Sequence, residues 1–301
     1  MKPTCVDRPV GPCMKPLRCA WLFAPVLLVT LLTAPLVCAD DLAGQLKADY
    51  QDKVLTLRHF YAGDHLVFQS DGSLSGPAEV GPWTVDAEVS VESVKLRGRV
   101  LQIRGRRVCL VFDYKAKPYR DVLAMLAESK RKDQNHPADF FRKRKVNIEI
   151  NFSGGNPGLN DVTSAMRAVF LVPEELIGDF VPDFWRGYFD QIESQSRSAR
   201  DSDERVYSVK EGEVSSPQAI YSPEPEFAEE ARIAKFQGTA TVSAVVDPSG
   251  AAKDIQIVSP LGLGLDERAV EAIRTWKFKP GMKDGEPVPV QIAVEVSFYL
   301  Y

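Results

Sequence analysis

The chain has 301 residues, of which 45% are hydrophobic and 26% are charged. This composition is typical of globular domains, so it excludes whole-chain disorder, a collagen-like repeat and a polytopic membrane protein. The formal net charge is -4. Because an acidic chain has no general attraction for phosphate backbones, we do not expect nucleic-acid binding. At roughly 150 residues per domain, the length predicts two domains.

Residues 1–39 have the layout of a signal peptide. Two basic residues precede an uncharged apolar stretch, residues 20–39, which ends in small residues before a pair of aspartates. A basic segment, an apolar segment and small residues at the cleavage positions direct a protein to export. We therefore expect cleavage after Ala39. Two alternatives stay open, because twenty apolar residues can also remain as a membrane anchor and Cys38 could carry a lipid.

No catalytic or metal-binding constellation stands out. Cleavage after Ala39 leaves Cys109 as the one cysteine of the mature chain, in an apolar run where a buried, inert thiol is expected. The three histidines, His59, His65 and His136, have no partner at metal-ligand spacing. Nucleotide-binding and hydrolase motifs are also missing. We therefore expect neither a metal nor another cofactor, and no enzymatic activity.

Residues 40–190 predict an α+β domain that is rich in strands. Apolar and polar residues alternate with a period of two, which indicates an antiparallel meander with one solvated face. Gly98 and Gly105 are expected to interrupt this meander, and Asp71-Gly72 to form a turn. Alternating segments and segments with helical spacing are listed here in chain order: strands within 89–96, 101–112 and 146–152, and helices over 119–132 and from about Asp161.

Charged segments occur within this predicted domain and directly after it. Two basic clusters, Arg104–Arg107 and Arg142–Lys145, are interpreted as solvated ends of strands or loops. Contact with anionic lipid headgroups or peptidoglycan carboxylates is the alternative for these clusters. Residues 191–216 are dense in serine and charge and hold few large hydrophobic side chains. That segment is predicted to be a linker or a frayed helix.

Residues 217–301 predict a small domain in the order helix, strand, strand, helix, strand. The first helix is expected to start at Pro225 and to end before Gly238. Asp266 is expected to cap the second helix, with Leu265 and Val270 forming a hydrophobic staple. The strands occupy 240–246, Ile255–Val258 and 288–300, and the last of these alternates strictly between apolar and polar residues.

This last segment resembles the C-terminal domain of the TonB family of energy transducers. The resemblance covers about 80 residues and is spread over many positions in one order. The matching motifs are Pro225-Glu226-Phe227, Ala231, Phe236-Gln237-Gly238-Thr239-Ala240, Val246-Asp247-Pro248-Ser249-Gly250, Gly264-Leu265-Asp266, Ala269, Ala272, Trp276-Lys277-Phe278-Lys279-Pro280 and Gly285-Glu286-Pro287-Val288.

The resemblance implies that partner proteins bind by adding a strand to the sheet of this domain. Main-chain groups of the accepting strand would supply affinity, and its outward side chains would tune specificity. Pairing with a second copy of the chain in a homodimer would use the same edge. The residues of the accepting strand, by resemblance, are Val290, Gln291, Ile292, Ala293, Val294, Glu295, Val296, Ser297, Phe298 and Tyr299.

A TonB-like protein is expected in the periplasm of a Gram-negative type of bacterium, either soluble or anchored through residues 20–39. The implied partner is a TonB-dependent outer-membrane receptor or another envelope protein. An anchored chain would also contact an inner-membrane proton-channel complex and serve outer-membrane transport. The alternative is a released periplasmic binding or scaffold protein that uses the same module without energy coupling.

Overall fold

Two sheets, with helices packed on them, form most of the structure. The computed structural model describes residues 39–113, 116–128, 135–194, 207–208 and 214–300, which all belong to one compact unit. The predicted export or anchor segment up to Cys38 lies outside these residues. Within the described ranges, we find no helix with the length and apolar character that crossing a membrane requires.

The elements follow one another in an α+β order, as the sequence predicts. The helices are α1 Ala39–Tyr50, α2 Trp83–Asp86, α3 Val122–Glu128, α4 Asn135–Lys143, α5 Leu159–Val169, α6 Arg186–Ser194, α7 Glu229–Ala234 and α8 Leu265–Thr275, with 3-10 turns at Ile177–Asp179 and Asp183–Trp185. The strands are β1 Val54–Thr56, β2 His65–Gln69, β3 Glu88–Arg97, β4 Val100–Val108, β5 Leu110–Asp113, β6 Ala116–Asp121, β7 Lys145–Asn151, β8 Tyr207–Ser208, β9 Gln218–Tyr221, β10 Gly238–Val246, β11 Ala252–Ser259, β12 Lys277–Lys279, β13 Gly281–Lys283, β14 Glu286–Val288 and β15 Val290–Phe298.

The first sheet has five strands in the order β1-β3-β4-β7-β2. Its neighbours are antiparallel except for β2 and β7, which run parallel. Alternate residues of β3, β4 and β7 are buried, and they pack with residues of α1 and α5 in one hydrophobic cluster. The meander predicted over 89–112 is present only as the β3–β4 hairpin, because β5, with Leu110 and Phe112, pairs with β6 in a separate sheet. The predicted alternation is present, since β3, β4 and β7 each turn one apolar face to two amphipathic helices.

The second sheet lies in the C-terminal region, with the order β11-β10-β15-β8. The central strand β10 is antiparallel to both of its long neighbours. Alternate valines and alanines of β10 are buried with the inner residues of α8, whose Leu265, Ala269 and Ile273 reach the same cluster. The observed order of α7, β10, β11, α8 and β15 agrees with the predicted order of helices and long strands.

A single hydrophobic cluster joins residues from both regions. Trp83, Phe112 and Trp185 from the first region belong to it together with Val242 and Leu263 from the second. Two main-chain hydrogen bonds cross at the same place: Phe112 donates to the Leu261 carbonyl at 2.8 Å, and Leu263 donates to the Leu110 carbonyl at 2.9 Å. Residues 40–190 and 217–301 were predicted as separate domains, a division that stays a prediction; in the structure they share a core.

Two helix starts in the C-terminal region differ from the prediction. Helix α7 begins at Glu229, after the N-cap residue Ala228, and not at Pro225. The pair Glu229 and Glu230 then occupies its first turn, where carboxylates are favoured by the helix dipole. The N-cap of α8 is Gly264, so Asp266 is inside the helix. Its carboxylate instead accepts main-chain hydrogen bonds from the preceding loop.

Three predictions for the first region were also wrong in detail. The segment predicted as a helix over 119–132 starts as strand β6, and α3 covers only Val122–Glu128 of the described part. Gly105 does not separate two strands, although the register of β3 against β4 shifts beside it. It lies within β4, where a Cβ atom would be 2.4 Å from the Ser90 carbonyl oxygen. Arg107, from a cluster interpreted as solvated, is only 2% exposed.

Candidate functional site

The strand β15 alternates between the core and solvent along its whole length. Its buried side chains pack against α7 and α8, and its other side chains face outward because successive residues of a strand point to opposite faces. Phe298 is 1% exposed, and its ring meets that of Phe227 edge-on at 5.7 Å. The outward residues of the strand are Gln291, Ala293, Glu295 and Ser297.

One edge of β15 is fully paired. Strand β10 runs antiparallel to it in an unbroken register, from Gly238 opposite Phe298 to Val246 opposite Val290. Outward side chains reinforce this pairing. The hydroxyl oxygens of Thr239 and Ser297 are 3.0 Å apart, and the Gln291 side-chain amide donates to the Ser243 hydroxyl at 2.9 Å. Such cross-strand contacts fix the register and hold β15 rigidly in place.

The other edge of β15 has few partners among the described strands. In the part of the chain that the structure describes, only β8 pairs there, in parallel, with Tyr207 opposite Val290 and Ser208 opposite Gln291. No described strand pairs with this edge from Ile292 to Phe298. Alternate residues of such a stretch direct their N–H and C=O groups outward, which makes a template for another strand.

The structure brings the predicted site residues together on this one strand. Nine of the ten lie in β15, and the tenth, Tyr299, follows directly and is 56% exposed. The Leu300 main-chain N–H donates to the Gln237 side chain at 3.0 Å, which ties the end of the strand to the start of β10. Two of the ten, Val290 and Gln291, are paired with β8 on the outer edge. The partner-binding role of all ten stays a prediction.

A groove of about 580 Å³ lies beside the open edge. One wall is β15 from Gln291 to Glu295, and the opposite wall is the segment 216–219. Trp276 and Phe278 also line it, so aromatic and aliphatic surface predominates. Sequence reasoning did not find this groove, because its two walls are about 75 residues apart in the chain and neither carries a motif of its own.

Several residues of the predicted motifs have structural roles away from the edge. Asp247 accepts hydrogen bonds from the Ser249 N–H and hydroxyl and from the Ala251 N–H, which together lower the pKa of its carboxyl. Gly250 has a φ of +81°, and a Cβ atom there would be 2.0 Å from the Phe278 carbonyl oxygen. The Trp276 indole donates to the Pro223 carbonyl at 3.1 Å.

Asp266 holds the loop that precedes α8. Its side chain is fully buried and accepts the main-chain N–H groups of Leu261 at 2.8 Å and Gly262 at 2.7 Å. Burial, together with the neighbouring Glu267 carboxylate, raises the pKa of Asp266 to about 8. This loop carries the main-chain contacts to β5 described above, so Asp266 helps to shape the junction between the two regions.

A chain of charges crosses the same junction. Arg144 contacts Glu230 of α7 at 2.5 Å and Asp86 at 3.4 Å. The buried Arg107 also donates to the Asp86 main-chain carbonyl and to the carbonyls of Tyr61 and, at 3.0 Å, Gly63. Burial raises the pKa of Asp86 to about 6, although the two arginines oppose this shift. Removing one member of such a buried network leaves its partner without compensation.

Two hydrogen bonds from the segment around Trp185 also cross the junction. The Trp185 indole, which is fully buried, donates to Glu267 of α8 at 3.0 Å, and burial raises the pKa of Glu267 to about 7. Nearby, the Gly187 N–H donates to the Gln256 side chain of β11 at 2.9 Å. These residues were not singled out from the sequence, because their function depends on partners about 70 to 80 residues away.

The described residues hold no group of three or more His, Cys, Asp or Glu side chains that could bind a metal ion. The Cys109 thiol is fully buried, and burial raises its pKa to about 12. It therefore stays protonated at neutral pH, which agrees with the expected inert thiol.

Comparison with known proteins identifies the C-terminal region. Residues 223–300 match the family model described as Gram-negative bacterial TonB protein C-terminal. The chain is 35% identical over 78 residues to Protein TonB of Vibrio cholerae, a match that covers 26% of this chain and 32% of that protein. A solution NMR structure of the Pseudomonas aeruginosa TonB CTD matches 32% of this chain and 96% of its own, with 18% identity and a TM-score of 0.26.

The resemblance to the TonB family is thereby confirmed for the C-terminal region, which contains a TonB C-terminal domain. The chain spans about a third of the length of the Vibrio protein. Residues 39–194 lie outside the family match, which covers residues 223–300.

Proposed function

We propose that the C-terminal region binds an extended segment of an envelope protein as an added strand on the free edge of β15. The observation that carries this proposal is the asymmetry of β15, which is paired with β10 over all nine residues but has only two paired residues on its other side in the described chain. An edge that is rigid and unpaired supplies main-chain hydrogen bonds without prior rearrangement.

The partner that fits best is an outer-membrane receptor of the TonB-dependent kind. The family match and the identity to the Vibrio protein support this choice, and they support a location in the envelope of a Gram-negative bacterium. On this proposal the protein is a component of TonB-dependent transport and not an enzyme. Another envelope protein, or a second copy of this chain, would use the same edge.

The test uses synthetic peptides copied from the N-terminal extensions of outer-membrane receptors of the same organism. Each peptide is made in three forms: unmodified, methylated on alternate main-chain nitrogens, and methylated on the other set of nitrogens. A strand in a sheet uses only one set of its N–H groups toward a given neighbour. We expect one methylated form to lose binding to the 40–301 protein, while the other binds like the parent.

An NMR titration locates the contact on the protein. Shifts of the amide signals of β15 from Ile292 to Phe298 are expected on addition of the unmodified peptide. Equal binding by both methylated forms, or shifts confined to other parts of the chain, would show that the partner is not bound by strand addition.

A binding module without energy coupling is the second candidate. It is favoured by the contact between the two regions, because residues of the first region such as Trp83, Phe112 and Trp185 share a hydrophobic cluster with the TonB-like domain. Only residues 195–213 then separate the packed regions in the chain. An energy transducer has to span the distance between the two membranes. A connection this short contributes little to that span.

The mass of the native protein separates these candidates. It is measured after the periplasmic and membrane fractions of its own cells have been recovered separately. A membrane species that retains residues 20–39 supports an anchored transducer, and a soluble species that begins at Asp40 supports a released module. A mass that fits a lipid on Cys38 shows a protein held at the membrane by its lipid, which contradicts both the transmembrane anchor and the released module.

A further inference from the structure

The segment just before the matched domain is bound to it at three places. The Ser215 N–H donates to the Met282 carbonyl at 2.9 Å, and the Met282 N–H donates to the Ser215 hydroxyl at 2.8 Å. Strand β9 pairs with β12 in antiparallel register, with Ala219 opposite Phe278. Pro223 then accepts the hydrogen bond of the Trp276 indole. Residues 214–223 are therefore a fixed part of the C-terminal region, although the family match starts only at residue 223.

This position depends on a close approach at Gly281. A Cβ atom there would be 2.4 Å from a methyl carbon of Val290 and 2.7 Å from the Ser215 carbonyl oxygen. Only a residue without a side chain allows the segment to lie so near the start of β15. The glycine thus lets the segment lie beside the start of β15, and both line the same groove.

The groove has apolar walls and one charged end. Pro217 and Ala219 form the outer wall, Trp276 and Phe278 contribute aromatic surface, and Ile292 and Val294 lie on the side of β15. Its only charged residue is Glu295. Side chains of the β9 residues are exposed, so the groove is open to an approaching chain. Its volume of about 580 Å³ is in the range of ligand sites.

We propose that residues 214–219 complete the binding site by forming a groove that selects a strand with a bulky apolar side chain. This inference rests on the strand addition proposed above. A strand paired with Ile292–Phe298 directs alternate side chains along the sheet surface beside the edge. One of them enters the groove between Ala219 and the two aromatic rings. The occupant is thus an extended peptide with a large apolar residue, and not a uniformly polar one.

The Glu295 carboxylate in the lining of the groove adds a preference for the charge of the bound peptide. Glu295 is exposed, and it has no ion pair among the described residues. A peptide that places a lysine beside this carboxylate gains a modest attraction, whereas an aspartate there is repelled. The partner segment therefore combines one bulky apolar side chain with an adjacent basic or neutral residue.

The test compares two peptides, acetyl-Ser-Thr-Thr-Phe-Thr-Thr-Lys-amide and the same peptide with threonine in place of phenylalanine. Both residues favour extended chains, so the comparison isolates the apolar side chain. Burial of the ring predicts that the phenylalanine peptide binds the 40–301 protein about tenfold more tightly. NMR titration measures both affinities, including those in the millimolar range.

The variant Ala219→Trp fills the groove from its outer wall. We expect the preference for phenylalanine to fall from about tenfold to about threefold or less, while the threonine peptide still binds. Ile220→Trp is the matched control, because it is the next residue of β9, is 71% exposed and does not line the groove. This control should keep the full preference, and circular dichroism should show the same fold for both variants.

Two other results would overturn the inference. The methylated peptides then show whether only the groove fails or strand addition fails as well. An unchanged preference in Ala219→Trp, or equal binding of the two peptides by the parent protein, shows that the groove does not select the strand. If main-chain methylation still shows alternate effects, strand addition stands without the groove. If methylation shows no alternate effect for any peptide, strand addition itself fails and the role of the groove fails with it.

Discussion

The packing of Trp185 predicts how strongly the first region stabilises the TonB-like domain. The side chain is fully buried at the junction, with the Trp83 ring at 5.3 Å, the Phe112 ring at 6.0 Å and the Tyr188 ring at 5.9 Å. Replacement of such an aromatic residue by alanine costs about 3 to 5 kcal/mol of unfolding free energy. The substitution Trp185→Ala therefore removes a large part of the stability of an ordinary domain.

The hydrogen bond to Glu267 adds to this cost. The Glu267 carboxylate receives the Trp185 indole on one oxygen, and its other oxygen is buried without a partner in the structure. Loss of the indole leaves both oxygens unsatisfied, at about 1 to 3 kcal/mol. Trp185→Phe keeps most of the ring packing but loses the donor, so it should cost about 1 to 3 kcal/mol. Trp185→Ala should cost about 4 to 8 kcal/mol.

Urea denaturation of the 40–301 protein, followed by far-ultraviolet circular dichroism, measures these changes. This signal is preferred to fluorescence because the substitution removes one of the tryptophans. A single cooperative transition is expected for the parent protein, since one hydrophobic cluster includes residues of both regions. A loss below about 2 kcal/mol for Trp185→Ala would refute the reasoning, because it would show that the junction separates without loss of core packing.

Three further predictions concern charges and a turn. Burial raises the pKa of Glu267 to about 7, so its contribution to stability is full at low pH and is lost as the pH rises through about 7. The variant Glu267→Gln should therefore be more stable than the parent at pH 8, by about 1 kcal/mol. The exposed control Glu271→Gln should show no such gain. Gly250→Ala should lower the melting temperature by at least about 4 °C, because the residue has a positive φ and contacts a carbonyl oxygen, and a melting temperature equal to that of the parent would contradict this account. Reversal of one charge in Arg144→Glu should destabilise the protein by about 3 kcal/mol, and the second change Glu230→Arg should recover part of the loss in a double-mutant cycle.

Local signals allowed much of the C-terminal region to be predicted. The alternation of β15 and the turn residues Asp247 to Gly250 depend on neighbours in the chain, and both occur in the structure as expected. The pair Asp284 and Gly285 likewise has positive φ angles, as in a two-residue hairpin turn. Periodicity and turn chemistry act over a few residues, so a single sequence is sufficient to find them.

The junction could not be predicted for the opposite reason. Arg107 was interpreted as solvated because it stands in a basic cluster, but its partners are carbonyl groups more than 40 residues away and the backbone of Asp86. Trp185 was not singled out from the sequence, since its partner in α8 is more than 80 residues away. Neither contact leaves a periodic signal, and both depend on a fold for which the sequence offered no resemblance.

The strand order explains how the junction and the free edge coexist. Strands β11 and β15 lie on opposite sides of β10. The first region contacts β11 through Gln256. It also contacts helix α8 and the loop before that helix. These contacts lie away from the free edge of β15. A partner strand can therefore be added without displacement of the first region. An unpaired strand edge can associate with other chains without control. Strand β15 offers such an edge on one side only, because β10 pairs with its other side. The contacts at β11 are therefore compatible with the strand addition proposed for the edge of β15 from Ile292 to Phe298.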